Sequence, residues 1–305
     1  MPQPLDTSSS VELAVVERDG IPESRHLGAA VLVDADGRVI EQLGDPRALI
    51  YPRSAVKPLQ AAAMLRLGAP LRGAHLAIAQ ASHFGTPVHV SLVDDILGEA
   101  GLDRAALGCP ESWPRRSGAI RGMEHPERVT MTCSGKHAGF LSAAVRSGSD
   151  PAAYLRREHP VQREVARVIE EFAGETVAHW GVDGCLAPTP VLSIAGFARG
   201  VGSVLRAHPE LLAAVREAPW AIDDEAGENA AVIAELGAFA KTGAEGVMVI
   251  ALETGETVVV KALDGAERVG TAVALELLSR AGLVSRDSVE RVRDAAGHRG
   301  VRVAF

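Results

Sequence analysis

The stretch that decides the fold is Gly28-Ala-Ala-Val-Leu-Val-Asp-Ala-Asp-Gly-Arg-Val-Ile-Glu-Gln-Leu43. Two candidate strands, 28–33 and 39–43, flank the turn sequence Asp34-Ala-Asp-Gly37, and this pattern predicts a β-hairpin. A strand over Val11–Val16 precedes it. The chain therefore begins with antiparallel strands.

A second hairpin is predicted near the other end of the chain. Gly246–Leu252 and Thr257–Leu263 flank Glu253-Thr-Gly-Glu256, and a long helix over Ala266–Ala281 follows. Because the two hairpins lie at opposite ends of the sequence, their strands can complete one antiparallel sheet.

Helices dominate the part between the hairpins. The first is predicted over Ser54–Leu67, and Pro58 is tolerated there only in the first turn. The further helices are predicted over Val88–Glu99, Lys136–Arg146, Pro160–Phe172, Val191–Arg206 and Glu210–Arg216. We therefore predict an α+β fold with one domain over residues 1–305, in which a helical lobe, roughly 55–240, is inserted into the sheet and a cleft separates the two parts.

Composition excludes several classes of function. The chain has 305 residues, 47% of them hydrophobic, and a mean hydropathy of +0.11, which suits a globular enzyme. The net charge of −8 argues against a nucleic-acid or membrane partner. No stretch approaches the ~18 apolar residues of a membrane span. The first ten residues lack a signal pattern, so we expect a cytoplasmic protein whose three cysteines are thiols or metal ligands.

Lysine is rare and unevenly placed. Only four of the 31 basic residues are lysine, namely Lys57, Lys136, Lys241 and Lys261. Lysine can be tuned to act as a base, whereas arginine keeps its proton in proteins. The lysines lie in Gly-, Pro- or Cys-containing signatures, which favours a catalytic or ligand role for some of them.

Ser54-Ala-Val-Lys57 is the first candidate site. Residues three apart lie on one face of a helix, so Lys57 can reach the Ser54 hydroxyl. The helix N-terminus disfavours an ammonium and offers backbone N–H groups to an oxyanion. The alternative is an exposed lysine near a helix start.

A metal site is the second candidate. Cys133-Ser-Gly-Lys136-His137 opens a predicted helix, and Cys185 ends Gly181-Val-Asp-Gly-Cys185. Two thiolates and one nitrogen suit zinc. The alternative is two cysteines buried as small apolar residues, and Cys109 is predicted to be structural.

Two further signals complete the set. Ser82-His83 follows the apolar run Leu76–Ala79 and can line a cleft, although a loop serine and a surface histidine fit the spacing equally well. Lys241-Thr-Gly243 matches the triplet of serine β-lactamases, but here it is predicted to end a helix. Lys261 lies on a predicted strand, from which its side chain can enter the cleft, so Lys261 is the preferred catalytic lysine.

These segments together resemble the rhizobial-type L-asparaginases, the asparaginase II family. The matching stretches are 52–60, 81–83, 133–139, 159–162, 183–185, 243–246 and 261–265. The run Cys-Ser-Gly-Lys-His-Ala-Gly over 133–139 is the most specific of them. The chain departs from the family pattern at Phe84, Thr86 and Thr132, near the expected substrate pocket.

The resemblance implies a serine β-lactamase-like fold, a homodimer and hydrolysis of L-asparagine to L-aspartate and ammonia. It implies two serine–lysine pairs, Ser54 with Lys57 and Ser82 with Lys261, and zinc held by Cys133, Lys136 and Cys185. Arg53, His83, His137 and Asp183 are candidate substrate-binding residues, and Arg53 can pair with the α-carboxylate if its side chain points inward. The rival hypotheses are a glutaminase, another amide or β-lactam hydrolase, and a penicillin-binding-like sensor without turnover.

Overall fold

The structure is a computed structural model, and it describes residues 2–121, 123–297 and 300–305. The strands are β1 (Val11–Arg18), β2 (Ile21–Val33), β3 (Val39–Leu43), β4 (Leu49–Ile50), β5 (His179–Val182), β6 (Pro188–Ser193), β7 (Phe239–Gly243), β8 (Val247–Ala251), β9 (Thr257–Ala262) and β10 (Val301–Val303). The helices are α1 (Lys57–Arg66), α2 (Gly73–Ala79), α3 (Pro87–Glu99), α4 (Ser134–Arg146), α5 (Pro160–Ala173), α6 (Ile194–Ala207), α7 (Pro209–Glu217), α8 (Glu228–Leu236), α9 (Gly270–Arg280) and α10 (Arg286–Ala295).

Both predicted hairpins form, and they share one antiparallel sheet. Its order is β10-β1-β2-β9-β8-β7, with β3 paired to β2. In the β2–β3 turn the Asp34 carboxylate accepts a hydrogen bond from the Arg38 amide at 2.8 Å, and Gly37 has a φ of 79°. Pairing of β2 with β9, with Ala29 opposite Lys261, joins the two ends of the chain. The mixed fold with an antiparallel sheet and an inserted helical part is therefore confirmed.

Two predicted elements are wrong. Residues 191–193 were expected in a helix but belong to β6, which lies between β4 and β5 in a second, small sheet. Helix α6 starts only at Ile194, because the Ser193 side chain accepts the Gly196 amide and caps it there. The second error concerns Lys241-Thr-Gly243, which was expected to end a helix. It lies on β7, because α8 ends earlier, at Gly237, in the left-handed conformation.

The core positions the site at the border of sheet and helices. Helix α6 packs against β2 and β9, and α9 packs against β8 and β9, so the central strands are buried along nearly their whole length. The remaining helices of the inserted part, among them α1, α2, α4 and α5, pack on one another. The short turn before α1 contacts β7 and β8. Residues that follow this turn therefore lie where the two parts meet.

Candidate functional site

Residues 53–56, the Ser54 turn, lie between strand β4 and helix α1. They form one turn of 3₁₀ helix, and Arg53 has a φ of 51°. A non-glycine residue in this left-handed region is strained, and such strain is concentrated at functional sites. Behind the turn, a β-carbon on Gly243 would lie 2.5 Å from the Pro52 carbonyl oxygen. Strand β7 therefore approaches the turn more closely than a residue with a side chain would allow.

Lys57 is the buried centre of the site. Its side chain is fully buried at the start of α1, and Pro58 lies in the first turn as predicted. The Lys57 Nζ donates to the Ala81 carbonyl oxygen, to Ser82 Oγ at 3.2 Å and to Cys133 Sγ at 3.2 Å. Burial lowers the pKa of Lys57, and the charge of Lys136 lowers it further. The environment therefore favours the neutral amine that a general base needs.

The two serines have different hydrogen-bond partners in the structure. Lys57 hydrogen-bonds to Ser82, and Ser54 Oγ lies 3.9 Å from Cys133 Sγ. The Lys261 Nζ donates to the carbonyl oxygens of Glu245 at 2.6 Å and Ala262 at 2.5 Å, and its pairing with Ser82 stays a prediction. The sequence could not reveal the contact of Lys57 with Ser82, since the position of Ser82 depends on how α2 packs.

Lys241, for which the sequence predicts no catalytic role, lies close to Lys57. Its side chain is fully buried on β7, beside the Ser54 turn, and its Nζ donates to the Thr242 carbonyl oxygen at 2.7 Å. Burial lowers the pKa of Lys241 to about 7, and the charge of Lys57 contributes to the shift. The Lys-Thr-Gly triplet was the available signal, and its position on a strand beside a serine-bearing turn is the one that the triplet takes in serine β-lactamases. The likeness of the whole fold to those proteins stays a prediction.

Lys261 lies on β9, near Arg53 of the Ser54 turn. It lines a cavity of about 430 Å³ together with Tyr51, Arg53 and Glu245. The walls of this cavity are largely aliphatic, from Leu49 and other apolar residues. Both Lys241 and Lys261 therefore lie near the turn, and Lys241 is the fully buried one whose pKa the charge of Lys57 lowers.

Ser82 and His83 form an extended segment after α2. The Ser82 amide donates to the Ile222 carbonyl oxygen at 2.9 Å. The ring of His83 is fully buried, its Nδ1 accepts the Gly85 amide at 3.1 Å, and its Nε2 donates to Ser134 Oγ at 2.9 Å. Burial holds the pKa of His83 well below its usual range. These contacts fix the neutral ring and thereby position Ser82, and substrate contact by His83 stays a prediction.

Cys133, Lys136 and Cys185 come together in the interior. The Lys136 Nζ donates to Cys185 Sγ at 3.0 Å, and the Cys133 thiol hydrogen-bonds to Cys185. That hydrogen bond, together with the charge of Lys136, lowers the pKa of Cys185 to about 4. The same hydrogen bond and burial raise the pKa of Cys133. Burial opposes the charge on Lys136, but the two sulfurs outweigh it and raise the pKa of Lys136.

This donor set fits a zinc ion. A thiolate, a second thiol in contact with it and an amine converge on one place, and zinc would displace the protons of the thiol and the ammonium. In the described ranges of the chain, no group of three His, Cys, Asp or Glu side chains is arranged to hold a metal. The candidate set includes a lysine, so it lies outside that class. Zinc itself stays a prediction.

The other predicted residues have partners of their own. Arg53 pairs with Asp183, with 2.7 Å from Nη2 and 2.9 Å from Nε to Oδ1, so its guanidinium points to the Cys185 loop. His137 is fully buried against Tyr154, with Nδ1 2.6 Å from Oη, and burial lowers its pKa to about 3. Cys109 is buried and free, and its thiol donates to the Arg128 carbonyl oxygen at 3.4 Å. Substrate contact by Arg53, Asp183 and His137 stays a prediction.

Comparisons with known proteins agree with the sequence resemblance. Residues 14–302 match the family model described as L-asparaginase II. This match indicates that the protein is an amidohydrolase. The chain belongs to the L-asparaginase II family. No curated protein matches the sequence.

Three crystal structures described as Mglu are similar in fold. The native form shows 14% identity with a TM-score of 0.47 and covers 91% of this chain and 70% of its own. The glutamate form shows 12% identity and a TM-score of 0.48, and the match covers 85% of this chain and 62% of that one. The tris and glutamate form shows 13% identity and a TM-score of 0.48, and the match covers 91% of this chain and 64% of that one. The chain thus spans 62% to 70% of their length. Across residues 2–121, 123–297 and 300–305, no helix combines the length and apolar character of a membrane span.

Proposed function

We propose that the protein is an L-asparaginase that hydrolyses the side-chain amide of L-asparagine to L-aspartate and ammonia through a serine acyl-enzyme. The observation that supports this is the buried Lys57, which contacts Ser82 and follows Ser54 by one turn, with Lys241 close by on β7. Two hydroxyls and two lysines with lowered pKa values form the constellation that acyl transfer requires.

Ser54 is the nucleophile in this proposal. It is partly exposed and follows the strained Arg53, whereas Lys57 is fully buried behind it. Ser54 Oγ attacks the amide carbon while its proton passes to the neutral Lys57 amine, directly or through Ser82 Oγ. Backbone N–H groups at the start of the turn hold the oxyanion. The C–N bond then breaks, the proton returns to the leaving nitrogen as ammonia forms, and a β-aspartyl ester on Ser54 remains.

Water completes the reaction. It loses a proton to the same lysine and attacks the ester carbon, and Ser54 Oγ leaves with that proton to give L-aspartate. Lys241 supports this step as a second buried cation or amine, because its pKa of about 7 allows both forms near neutral pH.

Zinc, homodimer formation and a cytoplasmic location are further parts of the proposal. Cys133, Lys136 and Cys185 would hold the ion, which would supply a fixed positive charge that orients a polar substrate group. The arrangement of two sulfurs and an amine supports the zinc, and the family resemblance supports the dimer. Elemental analysis of purified protein and light scattering after gel filtration measure the two directly.

Ser54→Ala tests the nucleophile. We expect kcat for L-asparagine to fall by at least ~10⁴-fold with the melting temperature nearly unchanged, because a hydroxyl is removed without opening a large cavity. Hydroxylamine should trap the wild-type intermediate as β-aspartyl hydroxamate, and Ser54→Ala should give none. Ser91→Ala, on the exposed face of α3, is the matched control and should keep full activity.

The same assay separates the rival functions. L-glutamine and a β-lactam are run beside L-asparagine, and a stable acyl-enzyme in the mass spectrum without ammonia release would indicate a sensor. Full activity of Ser54→Ala would contradict the assignment and shift the nucleophile to Ser82.

A further inference from the structure

Residues 114–116, in the loop before α4, pack against the segment that carries Ser82. The Arg116 amide donates to the Phe84 carbonyl oxygen at 3.3 Å. A β-carbon on Gly85 would lie 3.2 Å from the α-carbon of Pro114. The Phe84 amide, in turn, donates to the Asp223 carbonyl oxygen at 3.0 Å. The backbone around residues 114–116 is therefore held against the chain two residues beyond Ser82.

Two arginines of this loop share the ring of Phe84. The guanidinium carbon of Arg115 lies 5.1 Å from the ring centroid, and that of Arg116 lies 6.0 Å from it. Arg116 is also ion-paired with the buried carboxylate of Asp224. Arg115 is exposed, and within the described ranges no carboxylate of the protein lies at ion-pair distance from it. Arg115 thus offers a planar cation whose orientation is set by an aromatic ring and whose hydrogen-bonding edge is open to a ligand.

The position of Arg115 relative to the site follows from two observations. Phe84 is two residues from Ser82, which contacts Lys57. The charge of Arg115 also acts on the buried ammonium of Lys241 and lowers its pKa. Arg115 therefore lies near the segment that carries Ser82, with its side chain exposed to solvent.

Arg53, the other arginine beside the nucleophile, is already engaged. Its guanidinium is bound to Asp183 at 2.7 Å, so a substrate carboxylate would have to displace a partly buried ion pair to reach it. A carboxylate that binds Arg115 displaces no ion pair within the described part of the protein, because the Arg115 guanidinium faces solvent.

We propose that Arg115, stacked on Phe84, binds a free carboxylate of the substrate and thereby restricts the enzyme to amides that carry one. This deepens the proposed function and rests on it, because it names the residue that recognises the free carboxylate of the proposed substrate. The guanidinium fork matches a carboxylate in two parallel hydrogen bonds, and the ring reduces the ordering that binding requires. Arg115 is a specificity-determining residue, and Phe84 is the positioning residue that holds it.

The test compares substrates with and without the carboxylate. The value of kcat/KM is measured by ammonia release from L-asparagine and from L-asparagine α-methyl ester, for wild type, Arg115→Gln, Arg115→Lys and Arg121→Gln. We expect Arg115→Gln to lose ~10- to 100-fold on L-asparagine and less than ~3-fold on the ester, since it removes a charge-assisted hydrogen bond that only the acid makes. The loss of kcat/KM on L-asparagine in Arg115→Lys should lie between wild type and Arg115→Gln. Arg121→Gln removes the same charge from the exposed end of the same loop and should match wild type.

A binding measurement keeps the inference separate from the proposed reaction. Calorimetry of L-aspartate and of L-aspartate α-methyl ester needs no turnover, and only the acid should lose affinity in Arg115→Gln. If wild type releases no ammonia but binds L-aspartate in an Arg115-dependent way, the proposed reaction fails and this inference stands. Equal losses on acid and ester, no loss on either, or no binding of L-aspartate by wild type would each overturn it.

Discussion

Lys241→Met should stabilise the protein at neutral pH and inactivate it. Lys241 is fully buried, and burial lowers its pKa to about 7. Its unfolded pKa is about 10.4, so protonation favours the unfolded chain over the folded one. Below pH 7 both states bind the proton and the folded state carries the full penalty, which is relieved as the pH rises toward about 10. The groups that act on Lys241 are Lys57 and Arg115, which oppose its charge, and Asp223 and Cys133, which favour it.

The size of the effect follows from these two pKa values. A lysine that titrates near 7 when folded and near 10.4 when unfolded costs on the order of 4 kcal/mol at pH 7 and less than about 1 kcal/mol at pH 10. Methionine has a similar length and fills the space, but it loses the hydrogen bond to the Thr242 carbonyl oxygen, worth about 1 kcal/mol. We therefore expect Lys241→Met to raise the free energy of unfolding by roughly 3 kcal/mol at pH 7 and to leave it nearly unchanged at pH 10.

Urea unfolding of wild type and variant at both pH values measures this difference. Lys261→Met is the control, because Lys261 lies on the same sheet but is partly exposed, and water screens its charge. The variant should also lose activity toward L-asparagine, as is common where a site sacrifices stability for function. If Lys241→Met destabilises the protein equally at pH 7 and pH 10, Lys241 is stabilised as a cation by Asp223 and the reasoning is wrong.

Two predictions concern the surroundings of the Ser54 turn. Gly243→Ala should lower kcat ~10- to 100-fold and stability by about 1–3 kcal/mol, because its β-carbon would lie 2.5 Å from the Pro52 carbonyl oxygen and displace the turn. Gly98→Ala in α3 is the control and should be neutral or slightly stabilising, because a β-carbon there meets nothing within 4 Å. Unchanged kinetics of Gly243→Ala would show that the Ser54 turn tolerates displacement. Cys185→Ser should lower the zinc content of the purified protein below about a tenth of an equivalent, measured by elemental analysis, whereas Cys109→Ser should not change it. Equal zinc content in the two variants would exclude the Cys185 site.

The two hairpins near the ends of the chain, and their place in one antiparallel sheet, could be predicted from the sequence. Hairpin turns and helix starts are local patterns, and β3, for example, begins and ends where Val39–Leu43 predicts. Lys57 is placed one turn after Ser54 by spacing alone. The scarcity of lysine and the Cys-Ser-Gly-Lys-His run also identify candidate site residues, because both are visible in the sequence without knowledge of the fold.

Strand β6 and the state of Lys241 were decided by tertiary structure. Residues 191–193 have a helical apolar pattern, yet they pair with β4 and β5, because partners distant in sequence satisfy their backbone groups. Lys241 was set aside because its pattern suggested a helix end. Only the packing of β7 against the Ser54 turn shows that it is buried.

The contacts within the site were decided in the same way. Lys57 reaches Ser82 because α2 and the segment after it fold across the start of α1. Arg53 meets Asp183 across 130 positions of sequence. The sequence alone specifies which reactive side chains the chain possesses and which neighbours each has within one turn. Tertiary structure decided which of them share a buried space, because burial and contact between distant segments set both the distances and the pKa values on which the chemistry depends.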